Sequence, residues 1–242
     1  HKAIRRQRQM CIRDSIVTAQ ENAEVIRIKL PEAIVTGWSE NVTGEQEADI
    51  TAAIHKAAAV VIGPGLGQEA GAERLLDLVL QEAKKLPELP VVIDADGLNL
   101  LAKKRLYSTL GRQYVLTPHL REMSRLSGKS VQEIADDMTS AVMGQQAGAT
   151  IVLKDARTLV SDGDWLYINL SGNSALSTGG SGDVLSGMIG GLLAQGCTQR
   201  TAATLAVYMH GLTAEKYCES APPHCMLARD ILEMIPKIGG NS

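Results

Sequence analysis

VVIGPGLGQEAGAERLLDLVLQEAKKLPELPVVIDADG, residues 60–97, carries the reading of the fold. Two short apolar runs, Ala58 to Ile62 and Pro90 to Ile93, flank a stretch from Glu69 to Lys85 whose apolar residues recur at helical intervals. The spacing therefore predicts strand, helix, strand. A helix of that length is the usual crossover between parallel strands, so one unit of parallel sheet is expected here. The same alternation continues outward. Tyr114 to Thr117 and Thr150 to Leu153 read as further strands and Val131 to Ala147 as a helix. Arg157 to Ser161 and Trp165 to Asn169, parted by Asp162-Gly163-Asp164, read as an antiparallel hairpin that makes one sheet edge mixed. SIVTA at Ser15 to Ala19 is strand-like. The last third is mainly helical, over Gly182 to Ala194, Thr201 to Cys218 and Ala228 to Ile235. The pattern predicts an α/β fold in which a central, mostly parallel sheet carries helices on both faces.

The chain has 242 residues, 45% of them hydrophobic, enough to bury one sizeable core. A single domain over residues 16–242 is expected. The net charge is −3, Phe is absent, and the one basic cluster, Lys2 to Arg13, sits at the N-terminus. Neither a phosphate-backbone footprint nor an aromatic stacking platform is present, so nucleic acid is not an expected partner. Four cysteines, Cys11, Cys197, Cys218 and Cys225, lack CxxC spacing, which argues against a zinc site or a disulfide framework and for a reducing cytoplasm. No apolar run reaches the roughly 18 residues that a membrane span needs. Residues 1–15, HKAIRRQRQMCIRDS, start without Met and show no usable periodicity; RQRQMCIRDS resembles translated adapter sequence. Two readings stand for this segment, a stretch foreign to the fold or a disordered basic tail.

The strongest chemical signal is NSALSTGGSGDVLSG, residues 173–187, in which Gly179, Gly180 and Gly182 precede an acid and an apolar helical run. Glycines let backbone N–H groups approach phosphate oxygens, and the helix start adds partial positive charge, so the loop is suited to an anion. Asp183 follows in the first turn. A carboxylate there is a poor phosphate ligand but is well sited to take a proton from a substrate hydroxyl. The plainer reading is a capping Asp after a flexible loop.

With its flanks, an Asn before and VLSGMIGGLLAQG after, this loop resembles the anion-hole motif of the ribokinase-like superfamily, and within it the ADP-dependent NAD(P)H-hydrate dehydratase family. VIGPGLGQ at Val61 to Gln68, VVIDADGLNLL at Val91 to Leu101, LTPHLREMSRLSG at Leu116 to Gly128 and AATLAVYMHGLTAE at Ala202 to Glu215 resemble that family's segments in order and spacing. The resemblance covers nearly everything after Ser15. It implies a ribokinase-like fold and a repair activity. ADP, or ATP, would act as co-substrate with Mg²⁺ to dehydrate (6S)-NAD(P)HX to NAD(P)H, giving AMP and phosphate. In the family, the nucleotide phosphorylates the hydroxyl of the hydrated ring, and loss of phosphate restores the dihydropyridine.

The resemblance also implies residue roles. Gly65 and Gly67 of the GPGLG loop, His119 of the TPH segment and Asp183 would contact the hydrated dinucleotide, Asp183 catalytically. Lys154, Asp155, Ala156, Arg157 and Thr158, with Gly179, Gly180 and Gly182, would bind the nucleotide. The family usually has Gly where this chain has Asp155, which adds negative charge beside the nucleotide. From the residues alone, TPHLRE at Thr117 to Glu122 ends a strand and starts a helix with Pro118 early in it, His119 reads as a cap or a solvated group, and His55, His210 and His224 receive no role. Asp94, Asp96 and Asn99 are open between helix capping and an indirect Mg²⁺ contact, and no protein metal site is expected. Family members begin with a strand and a Gly-rich loop that this chain lacks, and its match starts near Val17. A truncated record, or an exposed sheet position, follows from that departure. A homo-oligomer is expected, with an NAD(P)H-hydrate epimerase as fusion or partner in relatives. A ribokinase-like kinase of a small vitamin-precursor alcohol would need the same loop and acid, and a nucleotide-binding scaffold without turnover is a further alternative.

Overall fold

The computed structural model describes residues 14–39, 43–143 and 148–238, so the basic segment Lys2 to Arg13 lies outside the described residues. The chain divides into two compact units, residues 1–57 with 66–86 and residues 58–65 with 87–242.

In the first unit, strand β1 (Ser15–Ala19) pairs in parallel with β2 (Ile34–Trp38), and helix α1 (Ala23–Lys29) connects them. Helix α2 (Gly44–Lys56) starts at a reciprocal cap. Thr43 Oγ1 accepts from the Gln46 amide, and the Gln46 side chain accepts from the Thr43 amide, so two otherwise orphaned donors are satisfied. Helix α3 (Ala70–Lys85) buries Leu75, Leu76, Val79, Leu80 and Ala83, the three- and four-residue spacing read from the sequence. Trp38 Nε1 donates to the Gly71 carbonyl at 3.0 Å, tying β2 to the start of α3.

The second unit holds the sheet on which the site is built. Its six strands run in the order β3 (Val60–Ile62), β4 (Val91–Ile93), β5 (Tyr114–Leu116), β6 (Thr150–Leu153), β7 (Leu159–Ser161) and β8 (Leu166–Ile168). Strands β3 to β6 are parallel, while β7 and β8 add an antiparallel edge. The mixed, mostly parallel sheet is the one expected. Its inner strands read as unbroken apolar runs because both faces are covered. Val92, Val115, Val152 and Val160 point to one face and pack against Leu185, Ile189 and Leu193 of helix α8 (Ser181–Ala194) and Ala202, Ala203, Ala206 and Val207 of helix α9 (Gln199–Cys218). Alternate residues point to the other face, where α4 (Ala95–Lys104), α5 (Leu120–Ser127), α6 (Val131–Asp136) and α7 (Met138–Met143) bury Leu98, Leu101, Met123, Ile134 and Val142. A last helix, α10 (Ala228–Met234), buries Ile231 with Ala175, Ala214 and Met226. Strand β3 forms one edge of this sheet, and Val61 on it is 40% exposed.

Two local expectations are corrected. Val131 to Ala147 is not one helix. Asp137 leaves helical geometry at φ −143 and ψ 74, and its Oδ1 accepts from the Ser140 amide, so it ends α6 and starts a new turn. Residues 144–147 lie outside the described residues. Pro118 precedes α5 rather than lying within it, because His119 is the N-cap.

Candidate active site

The carboxyl ends of four neighbouring parallel strands deliver the chemically interesting residues, at the edge where ligands bind in open α/β sheets. Gly63 to Gly65 follow β3, Asp94 follows β4, Thr117 to His119 follow β5, and Lys154 follows β6. Gly63 sits at φ +125, where a Cβ would overlap the carbonyl oxygen of Asp94, so only glycine allows the β3 and β4 chain ends to approach this closely. Gly65, at φ +63, faces open space. Gly67 belongs to the first unit, beside Glu69.

Asp94 is the hub. It is 1% exposed and N-caps α4, with Oδ1 accepting from the Ala95 amide at 2.8 Å. The same oxygen lies 2.8 Å from Lys154 Nζ, while Oδ2 accepts from Ser186 Oγ on α8. Ser186 lies 3.5 Å from Thr117 Oγ1. A buried charge needs partners, and here an ammonium, a hydroxyl and an amide supply them. Asp94 thus caps α4 and at the same time pairs with Lys154 and Ser186. Asn99 instead accepts from Arg125 and donates to Asp96, away from this cluster.

Lys154 carries the hub to the glycine-rich loop. A Cβ on Gly182 would lie 3.2 Å from Lys154 Nζ and 4.0 Å from Asp94 Oδ2, so the ammonium stands directly against the first turn of α8. Lys154 has three donors and Asp94 occupies one. Gly180 at φ +85 is the N-cap of α8, and no side chain caps that helix. Among the described residues, the amides of Gly182 and Asp183 find no hydrogen-bond acceptor. Two free amides, a helix start and a lysine ammonium thus converge, which is the arrangement an anion requires. Gly179 faces open space one residue before the cap.

Asp183 is exposed in this first turn. Partial burial and then the nearby negative charge of Asp94 raise its carboxyl above the ordinary aspartate value, and Lys154 opposes them. A raised carboxyl is, when ionised, a stronger base.

The β5 and β6 ends are stitched together by the Lys154 amide, which donates to the Pro118 carbonyl at 2.8 Å, placing His119 beside Lys154. His119 Nδ1 accepts from the Arg121 and Glu122 amides at 3.1 and 3.2 Å, and Glu122 Oε2 accepts from the His119 amide. The capping reading of His119 is thus the observed geometry. Its Nε2 stays on the exposed side, 3.5 Å from Glu122 Oε1. Asp155, Ala156 and Arg157 are exposed and Thr158 is half-buried, forming the turn between β6 and β7. Sequence reading missed Ser186 of the cluster and His210, whose Nε2 lies 3.0 Å from the Ser181 carbonyl oxygen at the start of α8. Each acts through a partner remote in sequence, and only the position of Ser186 one turn beyond Asp183 offered a signal.

The family model described as NAD(P)H-hydrate dehydratase matches residues 14–237. The chain belongs to that family. The ADP-dependent (S)-NAD(P)H-hydrate dehydratase of Neisseria meningitidis serogroup B is 41% identical over 198 residues, 79% of this chain and 65% of that protein. A ribokinase-like superfamily protein of Enterococcus faecalis superposes with a TM-score of 0.80 at 30% identity, over 93% of this chain and 75% of that one. The ADP/ATP-dependent NAD(P)H-hydrate dehydratase of Bacillus subtilis, co-crystallised with ATP and Mg²⁺, gives 0.75 at 28% identity, over 93% and 78%. The ribokinase-like fold expected of the family is therefore the fold of this chain. The chain spans between 36% and 65% of the length of the first curated relatives it matches, some of them bifunctional NAD(P)H-hydrate repair enzymes. Among the described residues no helix is long and apolar enough to cross a membrane.

Proposed function

We propose that this member of the NAD(P)H-hydrate dehydratase family catalyses the ADP-dependent dehydration of (6S)-NAD(P)HX to NAD(P)H, with release of AMP and phosphate. The observation that carries the reading is the meeting of Lys154, the free amides of Gly182 and Asp183, and the Asp183 carboxylate at one helix start. Phosphoryl transfer needs positioning and charge stabilisation more than covalent chemistry from the protein, and this is what the cluster offers. Asp183 would take the proton of the ring hydroxyl as its oxygen bonds to the β-phosphorus of ADP and the bond to AMP breaks. The Gly182 and Asp183 amides would stabilise the charge that builds on the transferred group. Phosphate then leaves with its C–O bond, and a proton lost from the neighbouring carbon restores the ring double bond. Lys154, steered by Asp94, would hold the nucleotide phosphates.

Gly65, Gly67 and His119 would contact the dinucleotide, and Asp155 to Thr158, with Gly179 and Gly180, the nucleotide. Among the described residues no group of three or more His, Cys, Asp or Glu side chains could hold a metal ion, so Mg²⁺ would arrive on the nucleotide and no step runs through it here. The test is to incubate the chain with ADP and hydrated NADH while following recovery of NADH absorbance and formation of AMP. Accumulation of a stable phosphorylated product, or no consumption of ADP, would sink the reading.

A further inference from the structure

Besides bonds within the glycine-rich loop, such as Ser181 Oγ donating to the Leu176 carbonyl at 2.7 Å, one helix, α9, grips the loop at both ends. At the near end Ser171 Oγ donates to the Tyr208 carbonyl at 2.9 Å, and the Gly172 amide donates to Glu215 Oε1 at 2.7 Å. A Cβ on Gly211 would overlap Ser171, so loop and helix meet backbone to backbone. At the far end His210 lies with its Nε2 3.0 Å from the carbonyl oxygen of Ser181. His210 is 7% exposed, and its own carbonyl accepts from Thr213 Oγ1, which fastens that turn of α9.

A carbonyl oxygen only accepts, so Nε2 of His210 carries the proton. The Ser181 carbonyl and the Gly182 amide belong to one peptide unit, and no described peptide bond is cis. In a planar trans peptide the C=O and N–H vectors point in opposite directions. Whatever fixes the Ser181 carbonyl on the α9 side therefore also fixes where the Gly182 N–H points, and Lys154 stands against Gly182. We infer that His210 is a positioning residue that aims the Gly182 amide at the anion site through the rigid Ser181–Gly182 peptide. Burial, and then the charge of Lys154, push the His210 imidazole down to about 4 against the opposing bond to Ser181. The ring is thus neutral at physiological pH, and the bond places no second buried cation beside Lys154. An amide held in advance spends nothing on reorientation when charge develops, which is where such donors do most.

The inference rests on the dehydratase reading, and the test separates the two. Turnover of hydrated NADH with ADP, and ADP affinity by calorimetry, are measured on the wild-type chain, His210→Leu and His210→Gln. His210→Leu fills the space without a donor, and kcat should fall on the order of tenfold to a hundredfold, with ADP affinity weakened only several-fold. His210→Gln, whose amide can donate to Ser181, should recover most of both. A folded His210→Leu with wild-type kcat, or a Gln variant no better than Leu, overturns the inference. Should the wild type bind ADP without turnover, the dehydratase reading fails, and the several-fold affinity change with its recovery in Gln still decides the role of His210. A wild type that does not bind ADP overturns both. Independently of any variant, histidine ¹⁵N NMR of the wild-type chain should show a protonated Nε2 and a bare Nδ1 at neutral pH. The opposite tautomer cannot donate to Ser181 and would also refute the role.

Discussion

Lys154 Nζ stands 2.8 Å from Asp94 Oδ1, joining the ends of two strands that lie 60 residues apart in sequence. Asp94 is 1% exposed and the Lys154 side chain 21%, so the pair is largely withdrawn from water. Removing one member of such a pair leaves the other as an uncompensated charge. Lys154→Met should therefore destabilise the chain by roughly 3–5 kcal/mol as well as weaken ADP binding. Denaturant melts read the first effect and calorimetry the second. A variant as stable as wild type would mean that the pair is not formed.

Asp94 also acts on Asp183, as one of two causes that raise the Asp183 carboxyl, while Lys154 lowers it. If Asp183 must be ionised to accept a proton, activity is present above its raised pKa and lost as pH falls through it. Asp94→Asn removes a raising charge and frees Lys154 from its partner, and both changes push the Asp183 pKa down. The acid limb of the kcat profile should move to lower pH even as kcat itself falls. A limb that stays in place or moves up would detach Asp183 from that limb.

Asp183→Asn keeps the size of the side chain and removes the base. Turnover should drop by a factor of about 10² to 10⁴, with ADP affinity held within about tenfold, because the carboxylate serves the hydroxyl more than the phosphates. Near-normal activity in that variant would refute the assignment.

Gly182 is confined by space rather than by backbone angle, since a Cβ would meet Lys154 Nζ at 3.2 Å. Gly182→Ala should weaken ADP binding modestly, as Lys154 shifts by a few tenths of an ångström. Gly182→Val should abolish it, the branched side chain displacing the ammonium from Asp94. Equal affinities for the two variants in calorimetry would show that Lys154 does not bind the nucleotide from this position.

Gly63 and Gly65 share a loop but not a constraint. Gly63→Ala should fail to fold or lose at least about 3 kcal/mol, because it adds a backbone overlap with Asp94 to a positive φ. Gly65→Ala, in open space at φ +63, should cost only about 1–2 kcal/mol. Thermal melts of the two variants check the ranking.

Local sequence carried what local forces decide. The apolar runs of β3 to β6 and the turn at Asp162 to Asp164 are visible because burial on both faces and tight-turn chemistry write themselves into consecutive residues. The break at Asp137 was not visible, since a side chain that bonds forward to Ser140 competes with a helix only in context. The glycine-rich loop and Asp183 were legible as an anion site with an acid. Lys154 and His119 were named through the family resemblance, while the partners that tie the cluster together were not legible. Asp94 looked like a cap with an uncertain ligand role because Lys154 and Ser186, its other partners, come from distant strands and helices. His210 received no role, for nothing near it in sequence announces a bond to Ser181, 29 residues away.

The order in which these parts leave the ribosome follows from the grip of α9 on the loop. Each strand from β4 to β8 lies beside the strand made just before it, so the ladder that starts at β3 can grow as the chain emerges. Residues 171–182 are synthesised before residues 208–215 that clamp them, and the valines that α8 and α9 cover stay bare until both helices exist. The nascent protein therefore passes through a stage with a sheet, an uncovered apolar face and no clamped glycine-rich loop. A molecule whose α9 is pried loose by heat or a protease would return to that stage, its loop unclamped while the sheet still stands.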